Sequence, residues 1–168
     1  RGLNELGIEF YSTGGTQELL RGAGVSVRPV EEATGFAEIL GGRVKTLHPS
    51  IHAGILARRD DPEHMAELGR LNIAPVDLVV VNLYPFAATA KKPGVTFEEL
   101  IEHIDIRGPS MVRAAAKHFR DVLLVGNPPD YPRPPAATPQ TPAPPFPPHL
   151  TRTPFPPARG SPPPAHPP

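Results

Sequence analysis

The sequence predicts an α/β fold with a central, mostly parallel sheet, followed by a disordered tail. Apolar, strand-like runs alternate with helical patterns over residues 1–131, which is typical of parallel strands joined by helices. Nine of the 26 prolines precede residue 132, which leaves 17 in residues 132–168. Proline at that density excludes a helix or a strand ladder. We therefore expect one domain over 1–131 and a proline-rich tail over 132–168.

The first half of the domain contains short elements punctuated by glycine. A helix end closed by Gly7 precedes a strand over 8–12, and a turn then leads to a helix over 17–23. A strand over 25–30 follows, because valine alternates there with polar residues. Residues 34–42 predict a helical turn between glycines.

The second half has stronger patterns. Pro62 follows two aspartates that suit a helix cap, and the β-branched run over 77–83 predicts a strand buried on both faces. Thr96 and Glu99 form a capping-box pattern at the start of another helix. The predicted elements are a strand over 51–57, a helix over 62–71, a strand over 77–83, helices over 96–103 and 109–119, and a strand over 121–125.

Composition excludes several classes of function. The totals of 17 basic and 17 acidic residues include three arginines and no acid in the tail, so the domain has 14 basic against 17 acidic residues. A mildly acidic domain argues against nucleic acid as a partner. No cysteine is present, which excludes thiolate chemistry and disulfides. No apolar run reaches the roughly 18 residues that a membrane span needs.

One glycine-rich segment, residues 12–16, comes directly after a predicted strand and before a helix. Its glycines allow close backbone approach to an anion, the helix N-terminus supplies N–H groups, and hydroxyl groups add donors. An ordinary strand-to-helix turn has equal standing, because the segment matches no established phosphate-loop pattern. The residues are Ser12, Thr13, Gly14, Gly15 and Thr16.

A second cluster follows a pair of glycines at 41–42. Alternation would place Arg43 and Lys45 on the same side with Thr46 beside them, which suits an anionic ligand or an oxyanion. A solvated basic turn is the alternative. The four-residue spacing of His48 and His52 is a weak metal signal, because a proline separates them and no third ligand is evident. We predict no metal.

Two further motifs lie at predicted strand and helix ends. Tyr84 follows the buried strand, where open α/β sheets place their ligands, and it either donates its phenolic O–H to a site or packs against Phe86. Asp105 precedes a helix and is either a loop carboxylate or a site residue. Lys117 follows three alanines, whose small side chains would leave its ammonium in a crevice.

Five strings in this order resemble the amino-terminal inosine monophosphate (IMP) cyclohydrolase domain of the bifunctional purine biosynthesis enzymes. The resemblance covers about residues 3–131. The strings are STGGT at 12–16, GGRVKTLHP at 41–49, NLYPF at 82–86, IDIRGP at 104–109 and RAAAK at 113–117.

This resemblance implies a methylglyoxal-synthase-like three-layer domain that closes the formylated aminoimidazole carboxamide ribonucleotide to IMP, with loss of water and without a cofactor. It also implies a cytoplasmic location and a homodimer in the full-length family. The implied catalytic residues are Lys45, Tyr84, Asp105 and Lys117. The implied substrate-binding residues are Ser12, Thr13, Gly14, Gly15, Thr16, Arg43, Thr46 and Gly108.

The chain departs from the family pattern in three ways. We expect the family's first strand, with part of the nucleotide site, to be missing before residue 1. Arg107 stands where the family has glycine beside Gly108, and a transformylase domain is absent from the sequence given. The tail is then a disordered extension, a polyproline ligand or an out-of-frame stretch.

Three alternatives remain. A non-catalytic nucleotide or phosphate sensor would need the anion contacts but not two lysines with a tyrosine and an aspartate. Methylglyoxal synthase would need an acid near its phosphate loop, and residues 12–16 contain none. An inactive fragment is the third.

Overall fold

The computed structural model describes residues 2–126 and residue 128. Its helices are α1 (Gly2–Glu5), α2 (Gly14–Gly22), α3 (Val30–Thr34), α4 (Pro49–Leu56), α5 (Pro62–Arg70), α6 (Phe86–Thr89), α7 (Phe97–Glu102) and α8 (Arg107–Lys117). Its strands are β1 (Tyr11–Ser12), β2 (Arg28–Pro29), β3 (Leu78–Val80) and β4 (Leu123–Val125), and a 3-10 turn covers Leu40–Gly42. The predicted tail over 132–168, and the domain boundary at 131, lie outside the described residues.

All four strands are parallel to their partners, as the alternation of strands and helices predicts. They form two pairs, β1 with β2 and β3 with β4, and Leu78 lies opposite Leu123 in the second pair. Arg28 reinforces the first pair, because its guanidinium donates to Glu32 and Glu9 and lies 5.1 Å from the centre of the Tyr11 ring. The hydrogen bond to Glu32 is the largest contribution that raises the pKa of Arg28.

The main hydrophobic core lies where α4 and α8 pack on the second strand pair. Parallel strands and short side chains allow this close packing, since Ala115 is fully buried between the elements. Residues of α4, β3 and α8 contribute, together with one residue after β3 and one before β4. The buried members are Ile55, Val79, Val81, Ala114, Ala115 and Val122.

Residues 51–56 belong to α4 and Ala57 is its C-terminal cap residue, so the strand predicted over 51–57 is wrong. Pro49 occupies the first turn of α4, and His48 Nδ1 accepts a hydrogen bond from the Ser50 N–H at 3.2 Å, which caps the helix. A short apolar run does not distinguish a buried strand from a buried helix. Gly54 shows the burial, because a Cβ there would lie 2.7 Å from the Ala74 carbonyl oxygen.

The strand over 77–83 is shorter than predicted and is not buried on both faces. Val79 and Val81 face the core, whereas Val80 between them is 50% exposed. Within the described residues α8 and α4 cover only one face of β3, so burial alternates along the strand. The expectation of two covered faces was wrong because β-branched residues favour a strand whichever face they occupy.

Two helix starts follow the predicted capping rules. Asp61, rather than Asp60, caps α5, since its carboxylate accepts from the N–H groups of Glu63 at 3.0 Å and His64 at 3.4 Å. Thr96 and Glu99 form the complete capping box of α7. Local side-chain chemistry therefore determines where these helices begin.

The segment between β1 and α4 differs most from the prediction. The helical turn predicted over 34–42 is replaced by α3, which ends at Thr34 and is followed by Gly35 with a φ of 63°, and by the separate 3-10 turn at Leu40–Gly42. No pattern in the sequence predicted α6.

In the part of the chain that the structure describes, no helix is long and apolar enough to cross a membrane.

Candidate functional site

The N-terminus of α2 carries the glycine-rich segment. The predicted loop is in fact the first helical turn, because α2 begins at Gly14 with Thr13 as its extended cap residue. Gly14, Gly15 and Thr16 are exposed there, and Gly14 has a φ of 53°. The first N–H groups of a helix have no partners within the helix, so this turn presents amide donors to solvent.

Lys45 meets this helix start. Its Nζ lies 4.0 Å from the position that a Cβ on Gly14 would occupy, which joins the two glycine-containing motifs in space. The ammonium also pairs with Glu38, whose Oε2 is 2.5 Å away. The Lys45 side chain is only 12% exposed, so a largely enclosed cation lies next to a helix N-terminus.

A cavity of about 210 Å³ opens beside Lys45. Glu31 and Glu38 contribute carboxylates to its lining, and the rings of Phe36 and His48, 6.0 Å apart, contribute aromatic surface. The cavity therefore combines a largely apolar lining with the charged groups of Lys45, Glu31 and Glu38, which is the usual composition of a small-molecule site.

Arg43 and Lys45 do not share a partner, contrary to the alternation expected for an extended segment. Arg43 has helical backbone angles after the 3-10 turn, and its guanidinium reaches Glu102 at the end of α7. Thr46 Oγ1, by contrast, is buried and has no hydrogen-bond partner among the described residues. The turn separates the directions of the two cations, because an extended strand would be needed to align them.

Tyr84 is exposed and faces α7 rather than the core. Its ring lies 6.3 Å from that of His103 in an edge-to-face arrangement. His103 follows Glu102 directly, so Arg43 and Tyr84 contact neighbouring residues at the same end of α7. The GGRVKTLHP segment at 41–49 and the NLYPF segment at 82–86 therefore both contact the C-terminal end of α7.

Asp105 forms a compact junction with Gly108. Its Oδ1 accepts a hydrogen bond from the Gly108 N–H at 2.8 Å, close to the start of α8. A Cβ on Gly108 would lie 2.6 Å from Asp105 Oδ2 and 2.7 Å from Leu83 Cδ2. Glycine is therefore required at this point, because the aspartate and the NLYPF segment both pack against its Cα. Arg107, at the first position of α8, is half-buried beside this junction.

His52 links α4 to α8. Its Nε2 lies 2.8 Å from Ser110 Oγ and its Nδ1 lies 3.3 Å from the His48 carbonyl oxygen. The two histidines thus serve hydrogen bonds within the fold. Among residues 2–126 and 128, no group of three histidine or acidic side chains is arranged to hold a metal ion.

Lys117 is separated from the other expected catalytic residues. It is the last residue of α8 and is exposed, so the expected crevice is absent. Nine residues separate it from Gly108, which corresponds to about 14 Å along the helix axis. Ala114 and Ala115 are buried as their size suggested, but they face the core while Lys117 points to solvent.

Sequence patterns alone did not identify several residues of this region. Glu38 carries no motif, and only the fold brings it to Lys45 across seven positions. Glu102, His103 and Ser110 were likewise missed, because their partners lie 19 to 59 positions away. The pair of glycines before the basic cluster was the one sequence signal of this packing, since the missing side chain at Gly42 leaves room for Lys45.

Comparison with known proteins shows the family to which the chain is related. A model of the MGS-like domain matches residues 1–110. The bifunctional purine biosynthesis protein PurH of Chloroflexus aurantiacus is 62% identical over 129 residues, covering 77% of this chain and 25% of that protein. The PurH of Lacticaseibacillus casei is 63% identical over 131 residues, covering 78% of this chain and 26% of that protein.

A solved structure agrees with these matches. The crystal structure of ForH superposes with a TM-score of 0.65 at 38% sequence identity, covering 78% of this chain and 66% of that one. The expected MGS-like α/β fold and the resemblance to the purine biosynthesis enzymes are both confirmed. The chain spans about a quarter of the length of the curated relatives it matches.

Proposed function

Because the chain belongs to the MGS-like domain family, we propose that it performs the IMP cyclohydrolase step of purine biosynthesis. The carboxamide nitrogen of the formylated aminoimidazole carboxamide ribonucleotide bonds to the formyl carbon, and the formyl oxygen leaves as water with one proton from that nitrogen and one from the formamido nitrogen. Both reacting groups belong to one molecule. The protein therefore has to fix a reactive conformer and move protons.

The observation that carries this proposal is the proximity of the Lys45 ammonium to the start of α2. A helix N-terminus with exposed glycines, next to a largely enclosed ammonium, is suited to the phosphate of a nucleotide. Arg43 lies two positions before Lys45 in the chain, although its guanidinium pairs with Glu102. The proposed binding residues are Ser12, Thr13, Gly14, Gly15, Thr16, Arg43, Thr46 and Gly108.

The proposed catalytic residues have complementary chemistry. Asp105 accepts a proton from, or polarises, the attacking carboxamide N–H, since a carboxylate is an acceptor. Lys45 stabilises the developing negative charge on the formyl oxygen, and Tyr84 donates its phenolic proton as that oxygen leaves. Lys117 is the fourth member, and its role requires the substrate to reach the far end of α8 or the lysine of a second copy to approach.

A non-catalytic nucleotide sensor is the second candidate. The position of Lys117 favours it, because about 14 Å of helix separates this lysine from Gly108 and the Asp105 junction. A sensor would use the Lys45 region alone to bind an anion.

We further propose that the protein acts on a purine nucleotide as a cytoplasmic homodimer, and sedimentation velocity tests the dimer.

Steady-state formation of IMP, followed by absorbance, tests the function. We expect Lys45→Met to reduce turnover by at least about a hundredfold, the scale of one oxyanion contact. The matched control is Lys92→Met, because Lys92 is an exposed lysine that follows α6. This variant should keep turnover within twofold of that of the unaltered chain. If the unaltered chain binds IMP but forms none from the substrate, the sensor replaces the enzyme. Equal losses in both variants would contradict the role of Lys45.

A further inference from the structure

We propose that Glu38 is a built-in carboxylate that a phosphorylated ligand must displace from Lys45, so that Glu38 sets the affinity of this site for anions. The inference rests on the proposed function only in taking the Lys45 region as the ligand site. It assigns a role to a residue outside the five motifs.

The geometry of the ion pair supports this role. Glu38 Oε2 lies 2.5 Å from Lys45 Nζ, and the two side chains are unequally enclosed. Lys45 is 12% exposed, whereas Glu38 is 42% exposed. The lysine is therefore held by its surroundings, and the glutamate is the partner with room to leave.

Gly42 determines where the pair sits. A Cβ on Gly42 would overlap Lys45 Cε and would lie 3.0 Å from Glu38 Oε1. Gly42 is itself buried and has a φ of 83°. Both side chains thus pack close to the bare Cα of one residue, which limits the space in which the ammonium can move.

An anion at the start of α2 competes with Glu38. The Lys45 ammonium adjoins Gly14, so a phosphate that accepts from the first N–H groups of α2 would lie within reach of the same ammonium. Phosphate and the glutamate carboxylate repel each other when they share one cation. Binding therefore requires Glu38 to move into solvent, and that step lowers the affinity for the ligand.

Titration calorimetry with inorganic phosphate tests the inference on the full chain. We expect Glu38→Gln to tighten phosphate binding about tenfold, equivalent to about 1.4 kcal/mol. Glu31→Gln removes the same charge from the same cavity, although Glu31 forms no ion pair within residues 2–126 and 128, and it should change the affinity less than twofold. In a Lys45→Met background, Glu38→Gln should also have less than a twofold effect.

The contrary results are equally definite. Unchanged or weaker phosphate binding by Glu38→Gln would overturn the inference, as would an equal gain in Glu31→Gln, because the effect would then come from overall charge. Glu38→Ala is a second carboxylate-free variant and must tighten binding as well. The titration requires no turnover, so a chain that shows this pattern but forms no IMP would refute the enzyme and leave the role of Glu38 intact.

Discussion

His52 Nε2 lies 2.8 Å from Ser110 Oγ, and this hydrogen bond joins α4 to α8 where both helices contribute to the main core. Both side chains are half-buried, so the bond is sheltered from water. α8 begins at Arg107, beside the Asp105 junction, and α4 begins at Pro49, after its cap residue His48 and close in sequence to Lys45. The bond therefore holds the two halves of the candidate site in register.

Ser110→Ala should lower the free energy of unfolding by about 1 kcal/mol, the usual net value of such a hydrogen bond, with additional cost if the imidazole is left without a partner. Urea unfolding followed by circular dichroism measures the change. Ser26→Ala is the control, because Ser26 is exposed, and it should change stability by less than about 0.5 kcal/mol. Equal effects would show that the bond contributes nothing.

Gly42→Ala should destabilise the protein by about 1–3 kcal/mol more than Gly41→Ala. Both glycines have positive φ, 83° and 59°, so both substitutions incur backbone strain. Only Gly42 also packs against Lys45, whereas a Cβ on Gly41 would have nothing within 4 Å. Thermal melts of the two variants make the comparison, and identical melting temperatures would show that Lys45 moves aside without cost.

Gly108→Ala should lower stability by about 1–3 kcal/mol and displace the Asp105 carboxylate, since a methyl group would collide with both Asp105 and Leu83. Gly69→Ala tests a helical glycine with open space around it, and there alanine should be neutral or stabilising by up to about 1 kcal/mol. Chemical denaturation separates the two. A stabilised Gly108→Ala variant would mean that the junction is looser than its contacts indicate.

Asp61→Ala should cost about 1 kcal/mol, because α5 would lose the acceptor for its first N–H groups. Asp60→Ala removes the same charge one position earlier and should change stability by less than about 0.5 kcal/mol, since Asp60 is exposed and is not the cap residue. Urea titrations at neutral pH compare the pair. A larger loss for Asp60→Ala would reverse the assignment of the cap.

Elements governed by local chemistry were predictable from the sequence. The capping box at Thr96 and the aspartate cap of α5 both depend on residues within one helical turn. The parallel character of the strands also followed from the alternation of patterns. By contrast, residues 51–57 could not be assigned correctly, because a short and mostly apolar run suits a buried helix as well as a strand.

The chain sequence by itself determined the class of fold, its family resemblance and the chemistry available at each motif. Only the tertiary structure decided which of those groups meet. Lys45 turns to Glu38 and Gly14 while Arg43 turns to Glu102, because Arg43 follows a 3-10 turn directly and has helical rather than extended backbone angles. Lys117 lies at the far end of α8, because a rigid helix rises about 1.5 Å per residue. Contacts between residues far apart in sequence depend on packing, which no local pattern specifies.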